Sequence, residues 1–198
     1  MKSIVTISGS SRPGSFTAKA LAVVNDELRK SDFQLETFEA ASLDLNFPGR
    51  PLTADAERMR AAVKGASGLV IATPEYHGGM SAMTKLCIEN MGFPSVMAGK
   101  PVALLGVAAG RIGAIKSIEQ LRGVCGHIGA LVVPGAVSIA NVQTAFDADG
   151  NCTDASTEAA LRGLSKALLT FVRDYVCPKF IMEAMVREGD GTPWTTTV

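Results

Sequence analysis

The sequence lacks what a metal centre, a membrane span or a nucleic-acid surface requires. It has two histidines, His77 and His127, and four cysteines, Cys87, Cys125, Cys152 and Cys177, too widely spaced for a Cys-x-x-Cys pair or a Cys/His cluster. No metal site is expected from that spacing. Neither charge predominates: 19 Lys plus Arg stand against 19 Asp plus Glu. The clustered cations of a nucleic-acid surface are therefore missing. No apolar run approaches the ~20 residues of a membrane span. Met1-Lys2-Ser3-Ile4-Val5 runs straight into a strand pattern rather than through the series of regions that marks a secretory signal. The expectation is a cytoplasmic protein with free thiols. With 198 residues, 47% of them apolar, residues 1–198 are expected to form one domain with a C-terminal tail from about residue 177.

Two nucleotide-binding fingerprints are also absent. There is no G-x-G-x-x-G, and although Gly9 and Gly14 have the glycine spacing of a Walker A loop, Ser15 and Phe16 stand where Lys and Ser/Thr are required. What is present is the hydroxyl-rich stretch Ser8-Gly9-Ser10-Ser11-Arg12-Pro13-Gly14-Ser15-Phe16-Thr17, which follows an alternating apolar segment and opens a helix. Backbone N–H groups at a helix start, with one Arg, suit a terminal monophosphate such as that of FMN. Ser10, Arg12, Ser15 and Thr17 are the side-chain candidates, joined by the N–H groups of Ser15 and Phe16. The bland alternative is that Ser15 only caps the helix while Arg12 is solvated.

Periodicity then gives an order of elements. Strand patterns at Ser3–Ser8, Gln34–Phe38, Gly68–Ala72, Pro101–Val107 and Ala130–Val133 alternate with helical spacing after Ser15, from about Ala54 to Lys64, through Met83, Leu86, Cys87 and Asn90, over Ile115–Ile128 and from about Ala155 to Val176. Pro134-Gly135 interrupts the fifth strand. This alternation implies an α/β three-layer sandwich: a five-stranded parallel sheet with helices on both faces. In the flavodoxin-like order 2-1-3-4-5, the loops after strands one, three and four share one edge at the switch point. Three distant loops, Gly9–Thr17, Thr73–Gly79 and Ala108–Gly113, become one candidate site.

With these loops in that order, the chain from about Ile4 to Tyr175 resembles the NADPH-dependent FMN reductase family, a flavodoxin-like group of quinone, azo-dye and chromate reductases. Gly9-Ser10-Ser11-Arg12-Pro13-Gly14-Ser15 resembles its phosphate loop G-S-x-R-x-x-S, and Pro74-Glu75-Tyr76-His77-Gly78-Gly79-Met80 its P-E-Y-N-G-S signature. The resemblance implies non-covalent FMN and NADPH or NADH as hydride donor. It places Pro74, Glu75, Tyr76, His77 and Gly78 beside the isoalloxazine ring, with Ala108, Ala109, Gly110, Arg111 and Gly113 at its pyrimidine end. Chemistry at flavin N5 needs no catalytic side chain, because the cofactor carries the reaction. Two electrons would pass to a small-molecule acceptor: a quinone, azo compound, free flavin or metal oxyanion. A flavodoxin-type electron carrier is the alternative, set against it by the balanced charge.

The chain departs from the pattern at His77 and Gly79, where Asn and Ser are usual, and also at Thr17 and Leu86. His77 is either a proton donor or an exposed loop residue, and Glu75 is expected to orient its loop through the backbone. Arg12, Arg50 and Arg111 all stay open as partners for a nucleotide 2′-phosphate. The resemblance further implies a homodimer or homotetramer. Met80, Met83 and Met91, with Phe180, Ile181, Met182 and Met185 of the tail, are candidate contact residues, and Gly189-Asp190-Gly191 marks a mobile end.

Overall fold

The computed structural model describes residues 3–178 together with Met182, Glu183 and Val186. Phe180, Ile181, Met185 and the Gly189–Gly191 stretch lie outside the described residues. The chain begins with β1 (Ser3–Ser8), α1 (Phe16–Leu28), β2 (Gln34–Glu39), α2 (Ala54–Gly65) and β3 (Gly68–Tyr76). A short β4 (Gly79–Met80) turns back on β3, and α3 (Ala82–Glu89), β5 (Pro101–Val107) and α4 (Ile115–His127) follow. The chain continues through β6 (Leu131–Val132), β7 (Val137–Ile139) and α5 (Ala155–Phe171), which runs on into one π-helical turn at Val172–Val176.

Side-chain hydroxyls and carboxylates start four of the helices. Ser15, Thr53, Ser81 and Asp154 accept hydrogen bonds from Ala18 N, Ala56 N, Thr84 N and Thr157 N, satisfying N–H groups that have no carbonyl partner in a first turn. Apolar residues recur at helical spacing behind these caps. In α1, Ala20, Leu21, Val24 and Leu28 are buried, and in α5 so are Leu161, Leu164 and Leu168.

The sheet runs β2-β1-β3-β5-β6, with every pairing between those strands parallel. That is the expected order. The strand count differs: among the described residues seven strands are present where five were expected. The fifth is broken: Pro101 faces Leu131, 30 residues on, whereas Leu105 faces Val137, 32 residues on. Pro134 donates no ladder hydrogen bond and Gly135 has φ +85°, so two extra residues bulge out between β6 and β7. The other added strand, β4, arises because β3 continues to Tyr76 rather than ending at Ala72.

Central strands β3 and β5 are apolar on both faces, as a doubly covered parallel sheet demands. Val70, Ala72, Ala103 and Leu105 pack with α1 and α5, while Leu69, Ile71, Val102 and Leu104 pack with α2, α3 and α4. Met91, a candidate contact residue by sequence, is fully buried in that second core. Met80 and Met83 pack against its margin. Among the described residues no helix is long and apolar enough to cross a membrane.

Candidate functional site

The carboxyl ends of β1, β3 and β5 open into a cavity of about 430 Å³. Behind Pro74, which lines it, lies a buried hydroxyl network. Ser81 Oγ donates to the Gly9 carbonyl and Thr84 Oγ1 donates to Thr73 Oγ1 at 2.9 Å, while Thr73 Oγ1 donates to the Pro74 carbonyl at 3.0 Å. These bonds tie the end of β1, the end of β3 and the start of α3 together. Gly9 is needed here for closeness, since a Cβ would lie 1.9 Å from Thr84 Oγ1. Its place in the Walker-like spacing is therefore a packing requirement.

The first loop supplies the polar end of the cavity. Arg12, Ser15, Phe16 and Thr17 line the cavity, with Pro13, Gly14 and Lys19 beside them. The helical ladder of α1 begins with Lys19 N donating to Ser15 O, which leaves the N–H groups of Phe16 and Thr17 ahead of it. Ser15 Oγ accepts from Ala18 N at 3.2 Å and keeps its own proton to donate. The capping reading and the phosphate reading of Ser15 are thus compatible. Ser10 is different: it is buried, its Oγ accepts from Arg12 N at 3.1 Å, and it does not line the cavity.

The second loop is a hairpin. Tyr76 pairs with Gly79 across a two-residue turn in which His77 and Gly78 have φ +50° and +74°. Such a turn needs left-handed backbone at both positions, and His, like Asn, tolerates it better than most residues. The substitution of His77 for Asn therefore preserves the turn. Helix α4 then clamps the hairpin. Gln120 Oε1 accepts from Met80 N at 2.8 Å and would lie 2.9 Å from a Cβ at Gly79, so Gln120 fills the space a Ser side chain would take.

Glu75 orients its loop through its backbone, which pairs with Met80 across the hairpin, and adds a side-chain role that was not expected. Ala114, at the N-cap of α4, offers no side-chain cap. The Glu75 carboxylate fills that role by accepting from Ser117 N at 3.0 Å, which also places negative charge at the positive end of the helix. Pro74, Glu75 and Tyr76 line the cavity. His77 lines an adjoining open cavity, with Arg12, Glu75 and Tyr76. Gly78 lines neither.

From the third loop, Ala108 and Ala109 join Val107 and Val142 as the apolar wall. Gln143 Nε2 donates to the Ala109 carbonyl at 3.2 Å, and Val142 N donates to the Ala108 carbonyl, so the wall is braced. Gly113 is buried against Ser138, and Gly110 and Arg111 are exposed; none of the three lines the cavity. Lys19 and Val142 were missed by sequence reasoning. Lys19 lies one helical turn beyond Ser15 and so shares its face, a legible signal, but nothing in the sequence places Val142 here.

No thiol serves the site. Burial pushes Cys87 and Cys125 up to about 12, which leaves them protonated at neutral pH. Among the described residues no group of three or more His, Cys, Asp or Glu is placed to hold a metal. What the cavity offers is two cations, Arg12 and Lys19, beside a helix start, and an apolar slot between Tyr76 and Ala108. Its volume lies in the ~300–1,000 Å³ range of cofactor pockets. The donor set fits a phosphorylated planar heterocycle.

Residues 2–144 match the family described as NADPH-dependent FMN reductase. The chain belongs to that family. It is 30% identical over 182 residues to a 2-hydroxy-1,4-benzoquinone reductase from a Burkholderia species, covering 86% of this chain and 96% of that one. It is 31% identical over 179 residues to an NAD(P)H-dependent FMN reductase from Pseudomonas aeruginosa, covering 86% and 95%. Among solved structures, the flavoenzyme FerB, an NAD(P)H:(acceptor) oxidoreductase from Paracoccus denitrificans, superimposes with TM-score 0.72 at 23% identity over 88% of this chain and 99% of that one. The fold is thus the flavodoxin-like one expected, and the protein is an FMN-dependent, NAD(P)H-using oxidoreductase.

Proposed function

We propose that this enzyme reduces quinones or azo compounds at FMN held in the 430 Å³ cavity. The observation that carries this reading is the convergence of three loops on one slot with cations at one end and apolar walls at the other. Arg12 and Lys19, with the N–H groups of Phe16 and Thr17 and the hydroxyl of Ser15, hold the phosphate; charge-assisted bonds of this kind are the stronger ones. Pro74, Tyr76, Ala108, Ala109 and Val142 flank the ring. Bound there, FMN supplies hydride acceptance from the nicotinamide and onward two-electron transfer. The protein's own share is position. Glu75 and Gln120 fix the hairpin against α4, and Gln143 fixes the opposite wall. The relatives named for quinone, FMN and azo-dye reduction support the acceptor class.

The reading extends to a single-domain cytoplasmic protein working as a homodimer or homotetramer. Four unpaired cysteines support the compartment. Phe93 at 100% exposure and Phe47 at 65%, beside the groove they line, support self-association. The test is a titration of purified protein with FMN and with riboflavin, followed by NADPH oxidation with a quinone. FMN is expected to bind tightly and riboflavin about 10- to 100-fold more weakly, the span that roughly 1.5–3 kcal/mol of charged hydrogen bonding gives. Equal affinities, or no NADPH oxidation by the FMN-loaded protein, would refute the reading.

A further inference from the structure

We infer that a short hairpin over residues 145–153 is a positioning element of the phosphate site. Asp147 and Asn151 hold Lys19 where its ammonium meets the phosphate, and so set how strongly the protein distinguishes FMN from an unphosphorylated flavin. That the phosphate is FMN's rests on the proposed function. The hairpin follows the cavity wall at Val142 and lies past residue 144, where the match to the family ends, so it is no part of the family's phosphate-loop motif. Phe146 and Cys152 form an antiparallel bridge, Thr153 N donates to Ala145 O at 2.9 Å, and Asp147 N donates to Asn151 O at 3.0 Å. Near the tip, Gly150 has φ +91°, left-handed backbone that glycine adopts without strain, and its N–H donates to Asp147 O at 3.2 Å. Asp147 Oδ1 accepts from Asn151 N at 2.8 Å and Oδ2 from Asn151 Nδ2 at 3.0 Å. The carboxylate of Asp147 is thereby turned into its own hairpin, and its backbone carbonyl is left to meet Lys19.

Three contacts restrict the Lys19 side chain. Its Nζ donates to Asp147 O at 3.1 Å and lies 5.3 Å from the centroid of the Phe16 ring. Its stem runs past Gly150, where a Cβ would lie 3.7 Å from both Cγ and Cε. The Phe16 ring is in turn 6.4 Å from that of Phe146, which is buried at the root of the hairpin. Held in this way, Lys19 lines the cofactor cavity. An ammonium has three donors, of which the hairpin takes one and leaves two for an anion. Because the partner is a neutral carbonyl, the positive charge is fixed in place without being cancelled. A lysine free on a helix surface loses rotamer freedom when it binds, whereas one already held loses less. The phosphate of FMN gains from this preparation, and the terminal hydroxyl of riboflavin does not.

The experiment measures the affinities of the full-length protein for FMN and for riboflavin by flavin fluorescence, in wild type, Lys19→Met, Asp147→Ala and the double variant. The ratio of the two affinities cancels changes that act on the ring or on the fold as a whole. Lys19→Met is expected to lower the preference for FMN about tenfold, the loss of one charge-assisted contact. Asp147→Ala leaves Lys19 chemically intact and is expected to lower it about threefold, the effect of releasing one side chain. The double variant is expected to match Lys19→Met alone, because the hairpin acts through Lys19. Asp147→Asn, which keeps an acceptor for Asn151 N, is expected to restore most of the preference. Should Asp147→Ala fail to fold, Asn151→Ala removes one bond of the hairpin and is expected to lower the preference about twofold. An unchanged preference in the hairpin variants, or a double variant that loses the product of the two single effects, would overturn the inference. A wild-type protein with no preference for FMN refutes the proposed function and the inference with it, whereas a wild-type preference that survives loss of the hairpin bonds refutes the inference alone.

Discussion

Two cavities differ in place, size and chemistry. One, about 430 Å³, lies at the carboxyl ends of β1, β3 and β5; the other, about 620 Å³, is a groove along α2, α3 and α4 lined by Phe47, Arg50, Arg60, Lys85, Phe93 and His127, among others. The groove is larger and also holds cations, yet it is the poorer phosphate site. It lies beside the last turns of α3 and α4, at Ile88–Glu89 and Gly123–His127, where helix carbonyls concentrate negative potential. Its Lys85 is tied to Glu89, and the Arg60 guanidinium lies where a Cβ at Gly92 would be. The smaller cavity faces the N-terminus of α1, where N–H groups point outward. Helix polarity, more than volume or cation count, separates the cavity proposed for the cofactor from the groove.

Arg50 stands in the groove and Arg111 on the surface beyond the cavity wall. Of the three arginines left open for a 2′-phosphate, only Arg12 lines a cavity at the carboxyl edge.

The comparison is broken most severely at Gly9. Gly9→Ala forces a methyl group into Thr84 Oγ1 within a buried hydroxyl network, and is expected to destabilise the fold by about 2–4 kcal/mol and abolish FMN binding, as read by urea denaturation and flavin fluorescence. On the groove side the corresponding perturbation is alkaline pH. Cys87 and Cys125, both in the core beneath the groove, keep their protons to about pH 12 when folded and lose them near the ordinary thiol value when unfolded. Above about pH 9 the unfolded state therefore binds fewer protons, and stability falls by up to tenfold in the folding equilibrium per pH unit for each thiol. Denaturation midpoints that stay level from pH 8 to 10 in wild type, or that fall equally in a Cys87→Ala, Cys125→Ala double variant, contradict this.

A smaller effect separates the cavities directly. Arg12→Ala is expected to weaken FMN binding about 10- to 100-fold with little change in melting temperature, while Arg50→Ala leaves it unchanged. Phe93→Asp should do the reverse, lowering the mass seen by light scattering without altering FMN affinity. The smallest effect belongs to Glu75→Gln, which keeps an acceptor for Ser117 N but removes the charge at the start of α4. It should cost about 0.3–1 kcal/mol in thermal unfolding, and Glu75→Ala more.

Much of this site is legible in the sequence, for identifiable reasons. Pro101–Val107 is a strand over the expected residues because a continuous apolar run flanked by breakers has few alternatives. The three loops were found because parallel topology sends the ends of β1, β3 and β5 to one edge. Other features needed distances. Nothing in Gly9 says that it faces Thr84 rather than a phosphate, and Ser10 looks like Ser15 until its hydroxyl is seen accepting from Arg12 N. The capping role of Glu75 is hidden in the sequence because the helix it caps begins 40 positions later, with an alanine where a capping side chain is usual. The split of the fifth strand was signalled by Pro134-Gly135, but its return to the sheet at Val137 depends on the free upper edge of β5.

The central claim is that FMN occupies the smaller cavity at the carboxyl edge. A crystal structure of the protein grown with FMN tests it most directly. Density is expected for the phosphate within hydrogen-bonding distance of Ser15 Oγ, Arg12 and Lys19, and for the ring between Tyr76 and Ala108. Flavin density in the Phe47–Phe93 groove, with the carboxyl-edge cavity filled only by water, would contradict it.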